Sequence, residues 1–450
     1  MVASVYQPQD SGLTPELLRD VTDNRAIMAA ADEAIASGLS ELQVLTHLRR
    51  QWPASLARAA WILLQTSRRA LAEKFKILQP RVSLFYALPE ALEQATPLAA
   101  ALHKAAVVAA AVGPNALAVD IGCGIGGDAI ALAGKFPLLA VDVSPVRSWM
   151  AHRNLQALSL PHLVVQADVV QPIWRLPRSA VVHADPARRT GGRRGHQQYF
   201  PDLEHIMAVA GNGALAGIKL SPAADFASLP AAPLELIAVD EQVVEATLWL
   251  GRDCDALQLG KRTATLICDD IKWRLTGTPA ALAGTTGELD RFIFETAGAV
   301  TRAGLAPNFL TAAGLIPVSR DGCYATGPQL IEHPALRAFE VITTGPFDET
   351  RLRRTLASLP NDTHLTSKPT LEVKTRGGLG LDTDAWQRRL APYAKQNLAV
   401  IIYPSQQGVV AAITRRVTAG RWNRDRWNNT LSLRPDSPEL GLVSPADTIR

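Results

Sequence analysis

Cysteine is scarce in this 450-residue chain: Cys123, Cys254, Cys268 and Cys323 form no C-x-x-C pair and have no histidine at ligand spacing. That excludes a disulfide framework and a structural zinc site, so no metal is expected, and a reducing, cytoplasmic setting fits best. Aromatic residues are also few, at 6%, and much of the 47% hydrophobic content is Ala and Leu, which favours helix-rich α/β architecture. Charge of one sign is lacking as well. The 46 Lys plus Arg against 42 Asp plus Glu leave a formal net charge of +4, too little by itself to name a nucleic-acid partner but enough for a local basic surface. No basic-then-apolar leader opens the chain, where Asp10, Glu16 and Asp20 stand. The alanine-rich stretches are broken by charges or prolines before they could span a membrane. Membrane proteins, secreted miniproteins and disordered chains are thereby excluded, and the length implies two or three domains.

The hydrophobic period changes along the chain. Residues 1–110 read as a helical region: Thr14-Pro15-Glu16 supplies a cap, a first-turn proline and an early acid, and Thr96-Pro97 repeats the opening. Ala99, Leu102, Ala106 and Ala109 then recur at helical spacing. Over 111–275 short apolar runs alternate with helix-compatible segments at 127–135, 145–158 and 202–210. The runs are 117–119, 138–141, 163–165, 180–182 and 216–218, with further strand candidates at 234–239, 246–250 and 263–268. Buried strands alternating with helices predict a Rossmann-like, doubly wound parallel sheet. Each of the first five runs leads to a polar residue (Asp120, Asp142, Asp168, Asp185, Lys219), so those side chains fall along the sheet's carboxyl edge, where open α/β sheets bind ligands. Residues 276–334, rich in Gly, Pro and Thr, read as an irregular connection. A second α/β pattern occupies 335–418, and 419–450 reads as a polar tail.

The strongest local signal is Asp120-Ile121-Gly122-Cys123-Gly124-Ile125-Gly126-Gly127-Asp128. Glycines at 122, 124 and 126 permit a sharp turn and close ligand approach. Gly122, Gly124 and Gly127 also satisfy G-x-G-x-x-G, so a nicotinamide or flavin reading stands beside that of S-adenosylmethionine. The acids weigh against the first. A pyrophosphate would meet Asp120 and Asp128 at close range, whereas the ammonium and sulfonium of S-adenosylmethionine would be favoured by them. Asp142 is placed to accept from ribose hydroxyls and Asp168 from an adenine amino group. The bland reading is a tight turn with exposed strand-end acids.

These motifs resemble those of class I S-adenosylmethionine-dependent methyltransferases over about residues 90–250. The resemblance implies S-adenosylmethionine as cofactor. It assigns Asp120, Gly122, Cys123, Gly124 and Gly126 to the methionine end, Asp142 with Val143 to the ribose and Asp168 with Val169 to adenine. Thr96 is added from the Leu92-Glu93-Gln94-Ala95-Thr96 segment. That segment, Asp185-Pro186-Ala187-Arg188-Arg189, Lys219-Leu220-Ser221-Pro222 and the closing α/β pattern are similar to bacterial methyltransferases with a C-terminal THUMP-like domain. That resemblance implies RNA modification.

Asp185-Pro186-Ala187-Arg188 resembles the Asp/Asn-Pro-Pro-aromatic motif of enzymes that methylate exocyclic amines of bases, with two departures: Ala187 replaces a proline and Arg188 the aromatic. On that resemblance Asp185 and the Pro186 carbonyl orient the acceptor amine and Arg188 stacks on the base. Asp185 as a mere loop cap paired with Arg188 is the bland alternative. Arg189, Arg193 and Arg194 follow among glycines, with no acid until Asp202, and suit phosphate contacts. The remaining histidines, His183 and His103 among them, assemble no metal triad. The expected function is methyl transfer to a base nitrogen of RNA. The alternatives are a methyltransferase of small molecules or proteins, and a nucleic-acid-binding protein with a degenerate site.

Overall fold

The computed structural model describes residues 12–417 except 80, 114, 171–175, 189–198, 212, 258, 260, 269–270, 283, 286–287, 320, 362–367, 376–377 and 406–407. The described chain forms two compact units. One takes in Met1–Pro233 and Val244–Leu259, the other Leu234–Val243 and Gly260–Arg450.

The first unit opens with six helices: α1 (Pro15–Asp23), α2 (Arg25–Ala36), α3 (Glu41–Leu48), α4 (Ala54–Glu73), α5 (Pro89–Gln94) and α6 (Leu98–Val112). Their starts follow from capping chemistry. The Thr14 hydroxyl accepts from the Leu17 N–H at 3.2 Å, the Asn24 carboxamide oxygen from Ile27 at 3.2 Å, and Ser40 with Gln43 closes a capping box. Helix α4 buries Ala57, Ala60, Leu63, Leu64, Ser67 and Leu71 along one stripe. In α6 the helix is where the sequence predicts it, but the buried face is Leu98, Ala101, Lys104, Ala105 and Val108, while Leu102 is exposed. An alanine-rich helix offers little contrast between faces, so the sequence reading fell one position off.

The first unit continues with β1 (Ala118–Ile121), α7 (Gly127–Ala133), β2 (Leu138–Asp142), α8 (Pro145–Ala157), β3 (Leu163–Gln166), β4 (Val181–Ala184), β5 (Ala187–Arg188), β6 (Tyr199–Phe200), α9 (Leu203–Ala210) and β7 (Leu215–Leu220). Next come β8 (Leu234–Val239), in the second unit, and β9 (Gln242–Leu250). Strands β3, β2, β1, β4 and β7 pair in that order, all parallel, and β9 runs antiparallel to β7 through Ala246–Leu250. Each of the five predicted runs overlaps one of the parallel strands, and the mixed α/β, Rossmann-like reading holds. Strand order reverses at β1 and β4, so their carboxyl ends open the crevice where such sheets take ligands.

In the second unit β8 pairs parallel with β10 (Arg262–Cys268), which pairs antiparallel with β11 (Ile271–Gly277). Residues 276–334 are not an irregular connection. They carry β12 (Phe292–Thr296), α10 (Gly298–Arg302), α11 (Ala306–Ala312), β13 (Ile316–Pro317) and β14 (Tyr324–Gly327). These strands join β15 (Leu336–Pro346), β16 (Leu371–Thr375), β17 (Leu398–Ser405) and β18 (Gly408–Arg416) in a sheet of order β13-β14-β12-β15-β18-β17-β16. Helices α12 (Glu349–Ser358) and α13 (Thr383–Leu390) complete the unit. The Gly- and Thr-rich flanks hid β12, whose burial comes from partners 29 or more residues away rather than from local pattern. The polar segment 419–450 lies outside the described residues.

Candidate active site

The loop after β1 is shaped by its glycines. Gly122, Gly124 and Gly126 take φ of +72°, +54° and +92°, values that other residues adopt only under strain. A Cβ on Gly122 would lie 2.6 Å from the Asp185 carbonyl oxygen, so only glycine lets the β1 and β4 ends close together. A Cβ on Gly124 would meet nothing within 4 Å, which leaves that side of the loop open. Cys123 is buried, and burial pushes its thiol well above the usual range, so it stays protonated and inert.

Asp142, at the end of β2, holds this loop. Its Oδ2 accepts the Gly124 N–H at 2.9 Å and its Oδ1 the Ser144 N–H at 2.8 Å. Carboxylate oxygens have lone pairs left for a hydroxyl partner. Val143 follows, half-buried. Asp168, half-buried beyond β3, closes a turn by accepting from Val170 N–H at 2.9 Å, and Val169 is buried beside it. Asp120 is not a surface acid: it is fully buried in β1, its Oδ1 is 2.8 Å from His183 Nδ1, and its Oδ2 has no hydrogen-bond partner among the described residues.

A network that the sequence reading missed surrounds Asp120. Lys104 of α6 lies 2.8 Å from Asp128 Oδ1, 2.7 Å from Glu245 Oε1 and 3.1 Å from His183 Nε2. Thr247 donates to Glu245 at 2.9 Å, and Thr96, buried before α6, reaches its other oxygen at 3.5 Å. Burial opposes the Lys104 charge, but Asp128 and Glu245 outweigh it and hold the ammonium above its usual range. Asp128 is likewise held below the usual carboxylate range: burial would raise it, and His183, Lys104 and Lys219 overcome that. Asp120 goes the other way, raised chiefly by burial. The signals available for this network were a lone lysine in an alanine-rich helix and a glutamate inside a strand. Both sit where apolar residues are expected.

Asp185 ends β4 with its N–H on the Ile121 carbonyl at 2.9 Å, and Pro186 is buried. Its Oδ2 takes Lys219 of β7 at 2.7 Å, while 30% of its side-chain surface stays exposed. Lys219 also donates to the Gln94 carbonyl at 3.0 Å, and Lys74 donates to the carbonyls of Glu93 and Ala95 at 2.8 and 2.7 Å. Burial and the neighbouring Lys219 charge lower Lys74 to about 8. The helical region therefore builds part of this site. Asp185 pairs with Lys219. Strands β5 and β6 set Arg188 opposite Tyr199 and Ala187 opposite Phe200, so aromatic residues reach the segment from elsewhere in the chain. Arg189, Arg193 and Arg194 lie outside the described residues. Among the described residues, no group of three His, Cys, Asp or Glu side chains could hold a metal ion.

No protein-family model matches the chain. Two proteins of Mycobacterium tuberculosis, from strains CDC 1551 and H37Rv, do. Both bear the name uncharacterized S-adenosylmethionine-dependent methyltransferase, and each is 33% identical over 379 residues, 80% of this chain and 97% of its own length. The chain belongs to the S-adenosylmethionine-dependent methyltransferases. S-adenosylmethionine is accordingly its methyl donor, and the residues fit that group: an open glycine loop, an acid at the β2 end and a buried acid oxygen without a partner among the described residues. The fold agrees. A crystal structure of a candidate methyltransferase from Porphyromonas gingivalis W83 superposes with a TM-score of 0.61 at 16% identity, covering 88% of this chain and 99% of the other. No helix among the described residues is long and apolar enough to cross a membrane.

Proposed function

We propose that this methyltransferase modifies an amino nitrogen of a base in RNA, in the cytoplasm, with residues 335–418 serving as a THUMP-like RNA-associated domain. The observation that carries the reading is the close approach of the Asp185 backbone carbonyl to Gly122, which starts the amine-binding motif beside the donor loop. Asp185 and the Pro186 carbonyl accept the amine's N–H groups and aim its lone pair. Bound S-adenosylmethionine would supply an activated methyl group to that lone pair and leave as S-adenosylhomocysteine, and the nitrogen's surplus proton would pass to solvent. Because the sulfonium methyl is already activated, positioning supplies most of the acceleration. Lys219 fills one Asp185 oxygen and fixes its rotamer, leaving the exposed part of the carboxylate for the amine. Arg188 and the aromatic pair Tyr199 and Phe200 hold the base, and Arg189, Arg193 and Arg194 hold phosphates. Gly122, Cys123, Gly124, Gly126 and Asp120 serve the methionine end of the donor, with Thr96 beside them. Asp142 with Val143 serves its ribose, and Asp168 with Val169 its adenine.

Mass spectrometry of nucleosides from wild-type and deletion cells tests the reading: one methylated nucleoside should disappear and return with the wild-type gene but not with Asp185→Ala. In the purified protein Asp185→Ala should keep donor affinity. Asp142→Ala should weaken that affinity by roughly 2–4 kcal/mol through lost charge-assisted hydrogen bonds. An unchanged nucleoside profile, with turnover of a small acceptor free of RNA, would instead make this a small-molecule enzyme.

A further inference from the structure

We propose that His183 sets which charge state of the cofactor the site prefers: its Nε2 stays unprotonated while the cationic donor is bound and takes a proton when the uncharged product is bound. The inference rests on the cofactor assignment alone and is independent of the acceptor. His183 is buried at the centre of the network, faced by groups from each element around it. From β1, Asp120 Oδ1 lies 2.8 Å from Nδ1. From α6, Lys104 Nζ lies 3.1 Å from Nε2, and from α7, Asp128 Oδ1 lies 3.6 Å from it. Behind Lys104 stands Glu245 of β9, and Lys219 of β7 is matched by Asp185.

The charges do not balance. Asp120, Asp128 and Glu245 face one ammonium, that of Lys104, so with all three acids ionised and a neutral imidazole the cluster would carry two net negative charges out of water, an excess that also holds Asp120 up. Uncompensated buried charge is costly, and protonating His183 halves the excess. Burial opposes that proton and so does Lys104, but Asp128 and Asp120 outweigh them, and the imidazole is held above its usual range. The glycine loop joins Asp120 to Asp128, two carboxylates of the cluster, so a ligand on the loop sits close to this excess in the chain. S-adenosylmethionine brings one net positive charge; its demethylated product brings none. When the donor supplies the missing positive charge, His183 keeps a single proton on Nδ1, shared with Asp120, and its Nε2 accepts from Lys104. When the product is bound, Nε2 takes up a proton from solvent and turns to Asp128 Oδ1, now 3.6 Å away, while Lys104 gives up its bond to Nε2 and keeps Asp128 and Glu245.

Titration calorimetry of the whole protein with S-adenosylmethionine and with S-adenosylhomocysteine, each in phosphate and in Tris near pH 7, counts the protons exchanged. Donor binding should release up to about one proton more than product binding. Preference for donor over product should then rise with pH by up to about tenfold per unit. His183→Gln should abolish both differences. Equal proton counts in the wild type would overturn the proposal, as would a difference that persists in His183→Gln, which would belong to the ligand's own amino group. Should that variant fail to fold, NMR of the wild type labelled at histidine decides: His183 must report different protonation in the two complexes, and identical states defeat the proposal.

Discussion

Each unit contains an ion-pair network, and the two are built on different terms. In the first unit Lys104, Asp128 and Glu245 leave at most 9% of any side chain exposed, and Lys104 is the ammonium that both acids share. In the second, Glu295 of β12 takes Arg337 of β15 at 3.2 Å and Lys374 of β16 at 3.1 Å, yet each cation has a second acid near water. Arg337 also pairs with Glu241, and Lys374 with Glu372, whose side chains are 39% and 43% exposed. A network with partners in reserve tolerates loss of a member. A buried one with a single shared cation does not, because the charges left behind cannot reach solvent. The first arrangement is a weak way to stabilise a fold, which is one reason to look to the cofactor for its purpose.

The sharpest break of this contrast is Lys104→Met, which keeps the volume and strands two buried carboxylates. It should cost about 3–5 kcal/mol, read as a fall in urea midpoint and in Tm. Acid should separate the networks next. Asp128 is held below its ordinary value, so its contribution is complete above about pH 4 and is lost as pH falls toward its folded value. Wild-type stability should drop over that range, and the drop should be smaller in Lys104→Met, whose Asp128 has lost its main partner. Glu295→Gln should have the smallest effect, about 1 kcal/mol or less, since Arg337 and Lys374 retain Glu241 and Glu372. If Glu295→Gln proved as costly as Lys104→Met, exposure of the reserve partners would not be what distinguishes the two.

The glycine loop and the strand-end acids were legible in the sequence because their signals are local. Glycines at 122, 124 and 126 and acids at strand ends are short-range features, and the structure sets them on the ends of adjacent parallel strands. Asp128 is matched by Lys104, so it is no free acid facing a ligand. Nothing near Lys104 in sequence marks it as buried, and its acid partners lie at 128 and 245. His183 looked like one scattered histidine because its meaning depends on strand pairing: β1 and β4 lie in register with Asp120 opposite His183. The aromatic residues beside the Asp185-Pro186-Ala187-Arg188 segment were missed for the same reason, since Tyr199 stands opposite Arg188 across a ladder and not along the chain.

The lysines at 74 and 104 also set a lower limit on how small this enzyme can become. A chain begun just before β1 would keep every glycine of the donor loop and every strand-end acid, and its sequence would still read as a methyltransferase. It would lack the ammonium between Asp128 and Glu245, and the Gln94 carbonyl that anchors Lys219 beside Asp185. The bonds that hold Asp128 and Lys219 thus reach back to α5 and α6, with Lys74 bonded beside them, so these two helices are no accessory that could be trimmed or exchanged.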